Sequence, residues 1–182
     1  GRLVAVGRIN RTGEQNTELS ALWLYYEERV HMGQEYIAKD SGANMIDGMH
    51  VLKEQGNALD VYAPYVPNMF ADKPRQQAYD SAAAWKIKGY QQLDGLDSVK
   101  NAIAAGKPVA FGFIVYARFQ FMGKDGMMSM PWKFEPKMGG HAVLAVGYDD
   151  EMQRLIVRNS WGNGWGDKGY FYMPYAFAGD RK

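Results

Sequence analysis

Two segments carry side chains capable of acid–base chemistry: GGHAVLAVGYDD at 139–150 and LIVRNSWGNGWGDKGYFYM at 155–173. His141 opens one apolar run, Asn159 closes the next, and Asp149-Asp150 supplies a turn between them. In a hairpin these two positions return to the same end of the sheet. An asparagine carbonyl placed there can accept the imidazole proton and fix the ring's tautomer and orientation. The other ring nitrogen is then free to act on a nucleophile. Trp161 beside the pair would shield that hydrogen bond from water, and Gly139, Gly140, Gly162, Gly164 and Gly166 permit close backbone approach. Taken singly, each segment has a plainer reading. A histidine next to a strand can be a core or rim residue, and NSWGNGWG can be a Trp-rich bulged turn. Their order and combination carry the specificity.

The chain holds no cysteine among its 182 residues. That excludes disulfides, thiolate metal sites, iron–sulfur clusters and a cysteine nucleophile within this sequence. Asp149-Asp150 lacks further carboxylates and reads as a turn, so no metal and no cofactor are expected. Twenty-one Lys and Arg against 20 Asp and Glu give a net charge of +1, which offers no charge-based case for nucleic acid or an anionic membrane. The apolar run PVAFGFIVYA at 108–117 is about half of what a membrane span needs. Gly1-Arg2-Leu3-Val4 has neither the apolar stretch nor the cleavage pattern of a signal peptide. A soluble, disulfide-free chain compatible with the cytoplasm or a virion is expected.

The elements that must position His141 and Asn159 follow from periodicity. Leu19, Leu22, Trp23, Tyr26 and Val30 have helical spacing over 18–32; Asp40-Ser41 offer a helix start before a Met45, Ile46, Met49, Leu52 stripe that stops at Gly56. Pro64, Pro67 and Pro74 make 57–80 a long crossing loop, and Trp85–Tyr90 reads as a short strand. Leu96, Val99 and Ile103 form a helical face ended by Gly106. Strands are expected at Val109–Ala117, His141–Tyr148, Arg154–Asn159 and Tyr170–Met173. Helices first and strands second argue an α+β chain with two parts, 1–80 and 81–182. His31 and His50 read as surface residues. Met122, Met127, Met128, Met130 and Met138 crowd the loop before His141, where they could meet a ligand or simply pack.

GGHAVLAVGYDD and RNSWGNGWGDKGYFYMP resemble the C-terminal half of papain-like cysteine peptidases of the disulfide-free bacterial and viral type. LSALWLYYEERV, DSGANMIDGMHVLKEQG and the APY at 63–65 extend the resemblance to roughly residues 17–178. It implies a papain-like two-lobed α+β fold, with a helical N-terminal lobe and an antiparallel sheet or barrel in the C-terminal lobe. It further implies His141 as general base, Asn159 as its orienting partner, Trp161 covering their bond, and Trp165 lining the leaving-group side of the cleft. Gly140 and Ala142 would flank the histidine at the cleft wall. Gly42 and Ala43 would pair with an extended substrate peptide through their main chain. The nucleophilic cysteine caps the family's central helix, and a glutamine shortly before it donates to the oxyanion; neither is present. The resemblance places that cysteine a few residues ahead of Gly1 and makes 1–16 the remainder of a truncated central helix and the loop after it. Gln15 and Gln55 stand in the wrong places to replace the glutamine. Thr12, Thr17, Ser20 and Ser41 lie after the helix start, and Ser160 belongs to the NSWG turn. Two readings follow: a thiol peptidase whose cysteine lies on an upstream segment or another chain, or a non-catalytic pseudoprotease that binds peptides or serves in assembly. Either takes a peptide or protein partner. Transglutaminase-like and amidase-like folds share the chemistry but lack NSWGxGWG.

Overall fold

The computed structural model describes residues 17–179; the remnant of a central helix and its following loop expected over 1–16 lie outside the described residues. The chain divides into two compact units, one ending at Gln91 and the other beginning at Gln92.

In the first unit, α1 (Ala21–Met32) starts where Ser20 Oγ accepts the Trp23 N–H at 2.9 Å and donates to the Ala63 carbonyl at 2.5 Å. One hydroxyl thus caps the helix and ties it to a loop 43 residues away. Ser20→Ala is expected to lower stability by about 1–2 kcal/mol, because it removes a cap and orphans a buried carbonyl. A shift of the urea midpoint with an unchanged slope would register it; an unmoved midpoint would refute it.

The helix is buried on nearly every side. Trp23, Leu24, Val51, Ala58, Ala78 and Ala82 form one core cluster around it, with Tyr79 edge-on to Trp23 at 6.0 Å. Arg29, fully buried, donates to the carbonyls of Tyr25, Ile37, Lys39 and Phe70. Its charge is held by backbone dipoles, which pins two separate segments, at Ile37–Lys39 and at Phe70, to α1.

Helix α2 (Met45–Glu54) follows an Asn44 N-cap and is succeeded by Gly56 at φ +93°. The apolar stripe expected here is only partly its buried face. Ile46 is half exposed, whereas Gly48 and Val51 are buried. A side chain at position 48 would strike the Glu28 carboxylate, so α1 and α2 pack closely only because Gly48 has none.

The proline-rich stretch expected to be loop contains two short 3₁₀ turns and a helix, α3 (Gln76–Ala82). The boundary expected near residue 80 falls inside that helix. Ala78 and Ala82 are too small and sparse to signal periodicity, yet both are core residues of the first unit. No strand forms at Trp85–Tyr90: its alternation finds no partner in the sheet, and the Ile87 N–H instead bonds the Leu52 carbonyl at 3.1 Å.

In the second unit, α4 (Gly95–Ala104) packs on a four-stranded antiparallel sheet of order β1-β2-β3-β4. The strands are β1 (Val109–Tyr116), β2 (Lys137–Asp149), β3 (Arg154–Arg158) and β4 (Tyr170–Pro174). Alternation places Val143, Leu155, Val157, Phe171 and Met173 on one buried face with Val115 and Phe119. Lys100 on α4 fastens the β2–β3 turn through Asp150 at 2.6 Å, and the Tyr175 hydroxyl donates to the same carboxylate oxygen at 2.9 Å. Helices followed by an antiparallel sheet make the chain α+β.

Candidate active site

His141 sits in β2 opposite Phe113 of β1, and Asn159 follows the last residue of β3. Antiparallel pairing of Leu144 with Arg158 carries the two to the same end of the sheet. There His141 Nε2 lies 2.8 Å from Asn159 Oδ1. The Ser160 N–H donates to the same oxygen at 2.8 Å, which identifies it as the carbonyl of the amide. Nε2 therefore carries the hydrogen, and the lone pair of the neutral ring is at Nδ1. The Asn159 N–H donates to the Gly169 carbonyl at 2.9 Å, so the backbone behind the orienting side chain is fixed as well.

Both residues are buried. The Trp161 ring lies 5.0 Å from the imidazole, tilted by 32°, and Phe113 meets the imidazole edge-on at 6.0 Å. Trp161 in turn contacts Phe119 and Trp165 at 5.4 and 5.1 Å. Trp165 packs on the sheet core against Phe119 and Phe171, so it braces the tryptophan that covers the histidine. Burial lowers the His141 pKa below the ordinary histidine value, and the Asn159 hydrogen bond pushes it back up. The ring is thus a neutral base near pH 7.

That balance makes a prediction. Asn159→Ala should drive the His141 titration further down, because the substitution removes the contact that favours the imidazolium. Proton NMR can follow this among only three histidines. An upward move would overturn this account of the pair.

Gly140 and Ala142 flank His141 in β2, facing Ile114 and Gly112 across the ladder. Gly42 and Ala43 belong to the other unit, in the loop before α2. Gly42 takes φ +76°, and its N–H donates to the Tyr25 hydroxyl at 3.0 Å. Tyr25 donates onward to Asp40 at 2.7 Å. The expected main-chain strip therefore has one of its donors already engaged, a detail that nothing in residue type announces. His31 and His50 are exposed, as read from the sequence, and their rings stack at 5.4 Å. Among the described residues no group of three His, Cys, Asp or Glu can hold a metal ion, and no helix is long and apolar enough to cross a membrane.

The profile described as "Papain family cysteine protease" matches residues 10–179. The chain belongs to the papain family. It is 37% identical over 172 residues to an uncharacterised peptidase C1-like protein of Acanthamoeba polyphaga mimivirus, covering 88% of this chain and 55% of that protein. A cathepsin B-like protein of Giardia intestinalis is 31% identical over 161 residues, 80% of this chain and 53% of its own length. Among solved structures, xylellain, a cysteine protease from Xylella fastidiosa, superposes with a TM-score of 0.81 at 35% identity. That alignment covers 92% of this chain and 67% of xylellain. This papain-family chain spans about half the length of the two curated relatives described. The papain-like fold expected from NSWGNGWG is thereby established.

Proposed function

We propose that this domain is the base-bearing part of a thiol peptidase, in which His141 activates a cysteine supplied from outside these 182 residues. The observation that carries the reading is the buried pair of His141 Nε2 and Asn159 Oδ1 at 2.8 Å beneath Trp161. The hydrogen bond commits Nε2 and presents Nδ1 as the acceptor of a thiol proton. Once a thiol has given up that proton, the Asn159 carbonyl stabilises the imidazolium and the thiolate attacks a peptide carbonyl. The imidazolium then protonates the leaving amine, and a water deprotonated by His141 hydrolyses the acyl-enzyme. Gly42 and Ala43 are the proposed main-chain partners of an extended peptide substrate.

The 182-residue chain by itself is expected not to cleave peptides, since it has no cysteine. The decisive experiment is peptidase assay and thiol-directed labelling of the protein from its natural source, with intact mass. A labelled cysteine ahead of the Arg2-Leu3-Val4 segment, with labelling lost on His141→Ala, supports the reading. A natural protein without any such cysteine overturns it. The zero cysteine count favours one second reading, a pseudoprotease that keeps the fold to bind a peptide or a partner chain.

A further inference from the structure

We propose that Tyr25 is a substrate-positioning residue, whose hydroxyl holds the loop ahead of α2 so that Ala43 meets an extended peptide already in place. The inference rests on the reading of Gly42 and Ala43 as main-chain partners of a substrate, and it adds the side chain that aims them.

Tyr25 is half-buried on α1, and its neighbours fix it. The Arg29 guanidinium, one turn further along the helix, lies 4.1 Å from the ring centre, and Arg29 Nε donates to the Tyr25 carbonyl at 3.1 Å. The hydroxyl donates to Asp40 at 2.7 Å. That commits its hydrogen and leaves the oxygen as an acceptor, which takes the Gly42 N–H at 3.0 Å. Arg29 also donates to the carbonyls of Ile37 and Lys39, so one helix grips the loop where it begins and, through Tyr25, where it ends.

Gly42 takes φ +76° with open space where a Cβ would stand, so it is the backbone conformation and not crowding that calls for glycine. On the other side of Ala43, Asn44 is extended as the N-cap residue of α2. Its carbonyl accepts the Asp47 and Gly48 N–H groups at 3.1 and 3.3 Å, and its side-chain amide donates to the Asp47 carboxylate at 3.0 Å. Ala43 is therefore clamped from both sides. Among the described residues nothing bonds its own N–H or carbonyl, and the residue is partly exposed. A residue with both groups open can exchange two hydrogen bonds with one residue of an extended peptide. Holding it beforehand matters, because a loop that must be ordered on binding gives up part of the affinity.

The test uses the protein joined to its cysteine-bearing segment, a fluorogenic peptide amide that it cleaves, and copies of that peptide N-methylated at one amide nitrogen at a time. Tyr25→Phe keeps the ring against Arg29 and deletes only the oxygen. It should raise KM about fivefold to tenfold with kcat within about twofold, and Asp40→Ala should raise KM about twofold to threefold. In the parent, one methylated copy should be penalised about tenfold, having lost the donor to the Ala43 carbonyl; in Tyr25→Phe that penalty should shrink to about threefold. A general structural defect would weaken all the peptides alike. Should Tyr25→Phe misfold, Asp40→Ala carries the same comparison, since Asp40 is exposed. An unmoved KM in the folded variants, a loss confined to kcat, or an undiminished methylation penalty overturns the inference and leaves the role of His141 standing. A joined protein with no peptidase activity overturns the thiol-peptidase reading, and this inference with it.

Discussion

Joined to a segment that carries the family's cysteine, the His141→Ala variant should lose at least about 10⁴-fold in kcat/KM, while the unjoined 182-residue chain shows no hydrolysis at all. The magnitude follows from how nucleophile and base work as one unit: without the base the thiol stays protonated, and removing either member costs nearly as much as removing both. Asn159→Ala should cost less, because it leaves the base in place and damages only its tautomer and aim. The pH profile separates the two losses. Burial lowers the His141 pKa, so in the free chain the ring stays neutral to lower pH than an ordinary histidine does. A neighbouring thiolate would reverse this by favouring the imidazolium. Restoring the cysteine should therefore raise the His141 pKa as it lowers the thiol's, and NMR of the same histidine in both proteins reads the reversal. Peptide hydrolysis by the cysteine-free chain, or full activity in His141→Ala, would refute the assignment.

The pairing of His141 with Asn159 was legible because it rests on a few residues in a short span. His141 opens a strand and Asn159 closes the next, so an ordinary hairpin suffices to join them. Trp161 was legible for the same reason, being two residues from Asn159. What could not be read was the support behind them. Phe119 contacts Trp161 from a loop 42 residues earlier, and no local pattern marks that partnership. The α3 helix was missed because alanines at 78 and 82 carry almost no hydrophobic signal, although the core is built on their smallness. The supposed strand at Trp85–Tyr90 failed for the converse reason: alternation is necessary for a half-buried strand but cannot supply an edge to pair with. Least visible of all was the burial of the charged turn of α1, where Glu27, Glu28 and Arg29 look solvated and are all buried. Arg29 has four carbonyls and Glu27 accepts the Tyr79 hydroxyl at 2.7 Å. Glu28 has neither oxygen bonded.

That isolated carboxyl should govern how the stability of the first unit depends on pH. Burial pushes the Glu28 pKa up to about 8, the nearby Asp47 charge adds to the rise, and Arg29 offsets part of it. A carboxyl raised from its ordinary 4.5 binds its proton more tightly in the folded state than in the unfolded one. Its contribution is fully present below pH 4.5 and is lost as the pH climbs through 8, a loss on the order of 5 kcal/mol. Glu28→Gln copies the protonated shape without the titration. It should match the parent near pH 4.5 and exceed it by several kcal/mol near pH 8.5. The difference between urea midpoints of the two proteins across that range isolates this one group, since His141 and the other titrating residues are common to both. A constant difference would mean that Glu28 is charged in the folded state. The consequence reaches the proposed substrate strip, because α1 also carries Tyr25, whose hydroxyl receives the Gly42 N–H. Ionisation of Glu28 beside Asp47 should loosen the packing of α1 on α2 and, through Tyr25, the hold on the loop at Gly42 and Ala43. A peptidase built on this unit would then weaken in KM above pH 8 while the His141–Asn159 pair in the other unit stays intact.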